Sequence, residues 1–536
     1  MPTLNWIGKE AVVNHDKEVP FKLLKKVKSA SVGENSQNLI IHGDNLEALK
    51  ALMPYYAGKI KCIYIDPPYN TGNENWVYND NVNSPKIKKW IGKVVGPESE
   101  DLSRHDKWLC MMYPRLKLLR ELLSENGLIF ISISDIELAV LRQIMDELFG
   151  EDNFIGLITV KSTPGGRQSA KNLAIMGDYI LVYGKSKESI ILGLPLSQKY
   201  IDQYNRYDKK GRYLIERLRQ HGVAEKREDV PTLYFPIFYN EKENKISINK
   251  KEGFTTEILP ILPEGGDGRW IWSKNKIERD KDLIEIRKVK RKGKIIYDAF
   301  FKKYLNENIK EKMQTIWIDT EFRTEVGTKE LKELFSGEKI FAYPKPIYLV
   351  KKVIQSATNS EDIILDSFAG SGTTGHAVLD LNKEDGRNRK FILVELEDKV
   401  AKDITAERVK RSIKKYGYND GFEYCELDKP LFDENGQINK DCTFEQLANY
   451  IYFTETNTNI DRNKVSKEFI GEHNENEYYL LFDGMGKNVL DRDFLKKLEK
   501  NGKRKVIYAD KCLVDDRTLE KNKIQFKQIP YEVKVY

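Results

Sequence analysis

Residues 370–375, GSGTTG, satisfy the pattern G-x-G-x-x-G. They follow a short apolar run, DIILD (362–366), and open an amphipathic stretch, TTGHAVLDL (373–381). Glycines between a strand and a helix let the backbone turn tightly and approach a ligand at the carboxyl edge of a sheet. Glu395 lies 23 residues beyond Gly372 and ends the next apolar run. A carboxylate there can accept hydrogen bonds from two ribose hydroxyls. A nicotinamide dinucleotide and S-adenosylmethionine both carry an adenosine that suits such a cradle, so the loop alone leaves two enzyme classes open. A glycine-rich turn without chemistry is the plain alternative.

A second segment discriminates between them. Asp66-Pro67-Pro68-Tyr69 ends the apolar run 59–65 and continues into Asn70-Thr71-Gly72. Two consecutive prolines fix φ and lack N–H groups, so they offer a rigid turn with outward carbonyls beside a carboxylate and a ring. Methyl transfer to an exocyclic amine, such as N6 of adenine, uses those parts. The amine's lone pair is delocalised into the base, and Asp66 and the Pro67 carbonyl can each accept one N–H to draw it toward a reactive geometry. Tyr69 can stack on a base that has left the duplex. A dehydrogenase has no evident use for this turn, whereas an ordinary strand-terminating turn is the bland reading. Cytosine N4, also an exocyclic amine, suits the same turn. The six histidines are isolated, and no metal-ligand cluster is expected.

Both segments need strands to carry them. In the first ~185 residues, short apolar runs at 38–43, 59–65, 127–133, 153–160 and 178–184 alternate with helical spacing such as Leu46, Leu49 and Leu52. This predicts an α/β fold with a mostly parallel sheet. From 186 to 335 the alternation is lost. Tyrosines and tryptophans (Tyr204, Tyr207, Tyr213, Tyr234, Tyr239, Trp270, Trp272) stand among Lys, Arg and glycine-rich turns, which predicts a separate domain. The α/β pattern returns with a helix at 346–357, strands at 362–366 and 390–396, and a charged helix from Asp398 to Tyr416. Strands at 478–482, 505–509 and 524–529 predict a small C-terminal unit.

At 536 residues the chain holds about three or four folding units. Its 40% hydrophobic and 32% charged residues suit a soluble protein with a core. No apolar run approaches the ~20 residues of a membrane helix, and the N-terminus lacks the signature of a secretory signal. Five scattered cysteines without a CxxC pair predict a reducing cytoplasm. The net charge of +7 is matched by the stretch 273–312 alone, with 14 Lys/Arg against 7 Asp/Glu, centred on IRKVKRKGK (286–294). Such a stripe can neutralise nucleic-acid phosphates, or it can be a solvated face.

The segments IIHGDNLEAL (40–49), YIDPPYNTG (64–72), WLCMMYPRL (108–116), YILVYGK (179–185), YPKPIYLV (343–350), LDSFAGSGTTGHAV (365–378) and KFILVELED (390–398), in this order, resemble the β-class amino-methyltransferases that modify adenine N6 in DNA. The likeness is strongest to the modification subunit of type III restriction–modification systems. It implies a Rossmann-like, S-adenosylmethionine-dependent methyltransferase fold, circularly permuted, with Asp66 and Gly370 304 residues apart on one sheet. The implied organisation is an N-terminal arm (1–37), a catalytic half (38–185), an inserted target-recognition domain (186–335), a cofactor half (336–416) and a small α/β docking or dimerisation domain (417–536). By the resemblance, Asp66, Pro67, Pro68 and Tyr69 carry the amine chemistry, while Asp366, Phe368, Gly370, Gly372, Thr373 and Glu395 cradle S-adenosylmethionine. Asp44 touches the cofactor's adenine or caps a helix. Lys345 and Pro346 approach the methionine end. Segment 72–100, with Trp76, Tyr78 and Trp90, closes over the flipped base or is a surface loop. Double-stranded DNA is the implied substrate, with a homodimer and a separate helicase/nuclease restriction subunit as implied partners, since no Walker A sequence is present. A non-catalytic DNA-binding subunit and a nicotinamide-dependent oxidoreductase are the rival readings.

Overall fold

The computed structural model describes residues 3–34, 36–70, 85–95, 103–166, 172–291, 293–306, 308–433, 437–461, 465–484, 486 and 488–529. Two compact units emerge, residues 193–312 and the rest of the chain.

The larger unit is built on one ten-stranded sheet. Its strands are β1 (Lys22–Lys26), β2 (Leu39–His42), β3 (Ile60–Ile65), β4 (Leu123–Ile133), β5 (Phe154–Val160), β6 (Asp178–Gly184), β7 (Ile316–Trp317), β8 (Ile363–Asp366), β9 (Lys390–Glu395) and β10 (Glu423–Pro430). Their order is β1-β10-β2-β9-β8-β3-β4-β6-β5-β7. Every neighbouring pair from β10 to β4 is parallel. Antiparallel pairing is confined to β1–β10, β4–β6 and β5–β6. The sheet is therefore mostly parallel, as the strand–helix alternation predicts.

Alternate residues of the central strands feed two cores, because side chains on a strand point to opposite faces. Ile63, Ile65, Ile129, Ile131, Leu365 and Ile392 face α1 (Asn45–Tyr56), α2 (Arg104–Leu122) and α3 (Asp135–Phe149). Cys62, Tyr64, Phe130, Ile364, Phe391 and Leu393 face the opposite layer, which includes α5 (Ile347–Ala357) and α6 (Thr373–Asp385). Each such side chain, fully buried, contributes about 1.5–3 kcal/mol. Another helix, α4 (Thr324–Leu334), precedes α5. Its Glu330 accepts a hydrogen bond from the Ile347 backbone N–H at 2.9 Å, satisfying one of the free donors where α5 begins. After β9 a helix runs through Asp398–Val400 and a π-helical turn, Ala401–Ala406, into α7 (Glu407–Tyr416).

The parallel register pairs Leu365 of β8 with Ile63 of β3. The carboxyl ends of these strands, Asp366 and the residue before Asp66, therefore meet at one sheet edge although they come from distant halves of the chain.

The outer boundaries differ from the sequence reading. The segment read as an N-terminal arm contributes β1, and β10 comes from within the stretch assigned to the C-terminal domain. The charged sequence KLLKK hides the first, because an outer strand keeps polar side chains in water. The separate unit spans Gly193–Lys312 rather than 186–335: β7 joins the main sheet beside β5, and α4 follows it. Within that unit, strands Ile284–Arg291 and Lys294–Tyr304 form a hairpin, extended by Gly211–Arg217 and Arg206–Asp208. A second, three-stranded sheet is centred on Ile237–Asn240. Trp270 and Trp272 fill its core together with Phe235 and Tyr239, whereas Tyr207 is exposed. Near the C-terminus, Phe469–His473, Asn476–Leu480, Arg504–Ala509 and Ile524–Gln528 form a four-stranded sheet in that order. No helix among the described residues is long and apolar enough to cross a membrane.

Candidate active site

The glycine loop is shaped from below. Gly370 has φ 49° and Gly372 φ 74°, and α6 begins immediately after Gly372. A β-carbon on Gly372 would lie 2.9 Å from the Thr405 carbonyl oxygen, in the π-helical turn. The Thr405 hydroxyl in turn donates to the Gly370 carbonyl at 2.6 Å. Such π-turns recur at functional sites, where the extra residue redirects a helix face. Beneath the loop, fully buried Arg408 donates to the Ser371 hydroxyl at 2.9 Å and the Thr373 hydroxyl at 2.6 Å. Burial pushes this guanidinium down to about 10.

Two carboxylates sit beside the loop. Asp366 accepts from the Thr374 hydroxyl at 2.6 Å and the Phe368 N–H at 3.0 Å. Glu395 accepts from the Gly370 N–H at 2.8 Å and the Glu397 N–H at 3.0 Å. Burial pushes each carboxyl up to about 7, and no cation pairs with either among the described residues. These groups suit the cofactor expected from the sequence. Glu395 can accept ribose hydroxyls, the paired negative charges favour a cationic ligand, and the amide-rich start of α6 favours a carboxylate. Both acids are largely protonated below pH 7 and ionised above it. Affinity for S-adenosylmethionine is therefore expected to rise from pH 6 to pH 8 by about tenfold for each carboxylate that must be ionised. Calorimetric titration across that range checks it, and a flat profile would separate these acids from the ligand.

The proline turn is braced with equal care. The Trp108 indole N–H donates to the Pro68 carbonyl at 2.7 Å, and the Ser134 hydroxyl to the Tyr69 carbonyl at 3.3 Å. Among the described residues no donor reaches the Pro67 carbonyl, which leaves it available as an acceptor. Asn70 adopts φ 56°, a left-handed conformation that its side chain helps hold. Its amide donates to the Arg104 carbonyl at 3.1 Å and to Glu137 Oε1. Glu137 is fully buried, and burial raises its carboxyl above the usual range. His105 Nδ1 lies 2.8 Å from the same oxygen. Removing this brace with E137A frees Asn70 and lets the turn drift. Turnover should fall about a hundredfold, the scale of a misplacement of ~1 Å, with cofactor affinity unchanged. Rapid-quench and calorimetric measurements together distinguish that outcome from general unfolding.

The structure brings most of the sequence-derived residues together. Asp66, Lys345, Asp366, Phe368, Gly370 and Thr373 line one small cavity at the ends of β3 and β8. Pro67, Pro68 and Tyr69 adjoin it, and Glu395 reaches it through Gly370. Gly372 faces Thr405 behind the loop rather than the cavity. Asp44 caps α1, accepting from Leu46 N–H at 2.9 Å and Glu47 N–H at 3.3 Å, and pairs with Arg115 at 3.2 Å. Lys345 does not extend along the loop. Its ammonium lies 2.7 Å from both Asp66 carboxylate oxygens and 2.9 Å from the Tyr69 hydroxyl. Burial and the Asp66 charge hold that phenol well above its usual range. Trp108, Ser134, Glu137, Thr405 and Arg408 escaped the sequence reading, since each acts on a residue far away in the chain. Trp76 and Tyr78, read from the sequence as part of a cover over the base or of a surface loop, lie outside the described residues, as does the Trp90 side chain.

Known proteins are similar to this chain in sequence. A family profile described as DNA methylase matches residues 60–407. The EcoPI Mod subunit, a type III restriction-modification enzyme of Escherichia phage P1, is 33% identical over 446 residues, covering 77% of this chain and 68% of the phage protein. The type II methyltransferase M.KpnI of Klebsiella pneumoniae is 35% identical over 381 residues, covering 71% and 85% of the two chains. The EcoP15I Mod subunit of Escherichia coli, also a type III restriction-modification enzyme, is 32% identical over 483 residues, covering 83% and 70%. The profile runs from the first residue of β3 to the first of α7, across the proline turn, the glycine loop and Glu395, and with these relatives it establishes that the chain belongs to the DNA methylase family, whose members use S-adenosylmethionine.

Proposed function

We propose that this protein methylates N6 of adenine in double-stranded DNA as the modification subunit of a type III restriction–modification system, in the cytoplasm. The observation that carries the reading is the adjacency of β3 and β8, which sets the proline turn and the glycine loop at one cavity. The phage P1 and Escherichia coli relatives, named as type III Mod subunits, support the assignment to such a system and a separate restriction subunit as partner. The order of motifs, with the proline turn first and the glycine loop last, supports adenine over cytosine.

Bound S-adenosylmethionine supplies an already activated methyl group. Asp366, Glu395, Phe368 and the amides at the start of α6 would hold it, and Gly370 and Gly372 keep the loop in shape. One Asp66 oxygen accepts one N–H of the target amine and the Pro67 carbonyl accepts the other, which localises the lone pair on nitrogen. Tyr69 stacks on the extruded base, and Trp108 and Ser134 fix the turn. The chain's part in catalysis is placement and electrostatics. In the 193–312 unit, the hairpin of Ile284–Arg291 and Lys294–Tyr304 exposes Lys288, Lys290 and Lys294, which suits contact with DNA phosphates.

Incubation with unmethylated genomic DNA and methyl-labelled S-adenosylmethionine, followed by nucleoside mass spectrometry, tests this directly. Labelled N6-methyladenine is the expected product, and sequencing the modified positions gives the recognition site. Label in N4-methylcytosine would move the target to cytosine. No label from protein that binds both DNA and cofactor would defeat the proposal that this subunit methylates unaided.

A further inference from the structure

Lys345 stands where the target amine has to be. An adenine held by the proline turn needs an Asp66 oxygen for one N–H and a face of Tyr69 for stacking. The Lys345 ammonium contacts both Asp66 oxygens at 2.7 Å and the Tyr69 hydroxyl at 2.9 Å, and lies 4.9 Å from the centre of the Tyr69 ring. Its three donors match those three acceptors, so the set is complete without a base. While the ammonium spans both oxygens, a purine amine meets a carboxylate that is already paired and has to compete with Lys345 for it.

We propose that Lys345 is a placeholder for the target amine, occupying the Asp66 acceptor site between turnovers and swinging aside as the base enters. The inference rests on the N6-adenine reading above and assigns Lys345 to the amine side of the cavity. The backbone of Lys345 is anchored, since its carbonyl accepts from the Thr373 hydroxyl at 3.1 Å and Arg408 holds the same hydroxyl. Pro344 and Pro346 on either side restrict the chain further. The side chain is free to rotate about its four carbon–carbon bonds, so it can leave without moving the loop. At 14% and 18% exposure the pair is neither sealed from water nor fully screened, which keeps the contest between lysine and base close. A site filled by its own lysine also keeps the carboxylate paired when DNA is absent. Lys345 is on this account a positioning residue, acting through Asp66 and Tyr69.

The test uses the full chain with sinefungin, a non-reactive cofactor analogue. Two duplexes carry the recognition site, one with adenine at the target position and one with purine, which lacks the amine. The ratio of their affinities isolates what the amine gains from the protein. In wild type the gain is offset by displacement of Lys345. In K345M the ratio should rise about tenfold, the worth of a hydrogen bond to a charged group that no longer has a competitor. K345R, which retains the ion pair, should keep the wild-type ratio. An unchanged or lower ratio in K345M, or an equal rise in K345R, overturns the proposal. K345L carries the same expectation as K345M if the latter fails to fold. Loss of sinefungin affinity in folded K345M and K345L would assign the lysine to the cofactor and likewise overturn it. Wild-type protein that binds sinefungin yet places no methyl on adenine would instead defeat the N6-adenine reading.

Discussion

Replacing Asp66 with alanine lowers turnover by at least about a thousandfold and leaves cofactor affinity within about twofold. Asp66 brings a carboxylate from the proline turn to the cavity, and the exocyclic amine is a poor nucleophile until an acceptor draws its N–H away from the plane of the base. Alanine removes that acceptor and strands the Lys345 ammonium that pairs with it. The fold should survive, because Asp66 lies just beyond the end of β3, its side chain 14% exposed, and the strand's stability resides in the buried Ile63, Tyr64 and Ile65. Asp66→Asn keeps one acceptor oxygen without the charge and is expected to fall between, losing about a hundredfold. Single-turnover rates with saturating DNA and cofactor separate the two variants. An alanine variant with wild-type turnover would remove Asp66 from the mechanism.

Gly372→Val is expected to weaken S-adenosylmethionine binding by about a hundredfold or more. Two independent effects add. The residue sits at φ 74°, where a β-branched side chain is strained by about 1–3 kcal/mol. Its β-carbon would also meet the Thr405 carbonyl oxygen at 2.9 Å and the Thr405 Cα at 3.2 Å. Both atoms belong to a helix turn that is itself held by the Thr405 hydroxyl on the Gly370 carbonyl, so neither can give way without disturbing the loop. The strain must appear as displacement of Gly370 to Thr373, which carry the N–H bonded to Glu395 and the start of α6. Calorimetry with the purified variant checks the loss, and unchanged affinity would move the cofactor elsewhere in the protein.

The central strands and the two chemical segments are legible in the sequence because each is local. A strand buried on both faces must be apolar throughout, and KIKCIYI, DIILD and KFILVEL declare themselves. The proline turn and the glycine loop need particular residues in consecutive places. What holds them is not local. Arg408 reads as one more charge on a basic helix, yet it is buried beneath the loop. Glu137 reads as part of a helix surface, yet it clamps Asn70 across 67 positions. Lys345 reads as a cofactor contact from its place before β8, and only the pairing of β8 with β3 brings it to Asp66. The strands of the 193–312 unit hide for a different reason, although the unit itself is foreseen as a separate domain. Its strand Ile284–Arg291 is partly exposed along most of its length, so no clean alternation of apolar and polar residues is required.

The adjacency of β3 and β8 also constrains how the protein comes into being. β3 leaves the ribosome about 300 residues before its partner, and at 5–20 residues per second it waits roughly 15–60 s for β8. Throughout that time one edge of β3 has no neighbour, while the 193–312 unit can complete its own sheets. The nascent chain therefore holds the amine-binding turn but no methyl-donor cradle until about three-quarters of its 536 residues have been made. Two polypeptides divided within the 193–312 unit would each carry one half of the chemistry, and reassembling them would restore an enzyme from parts that are inert alone.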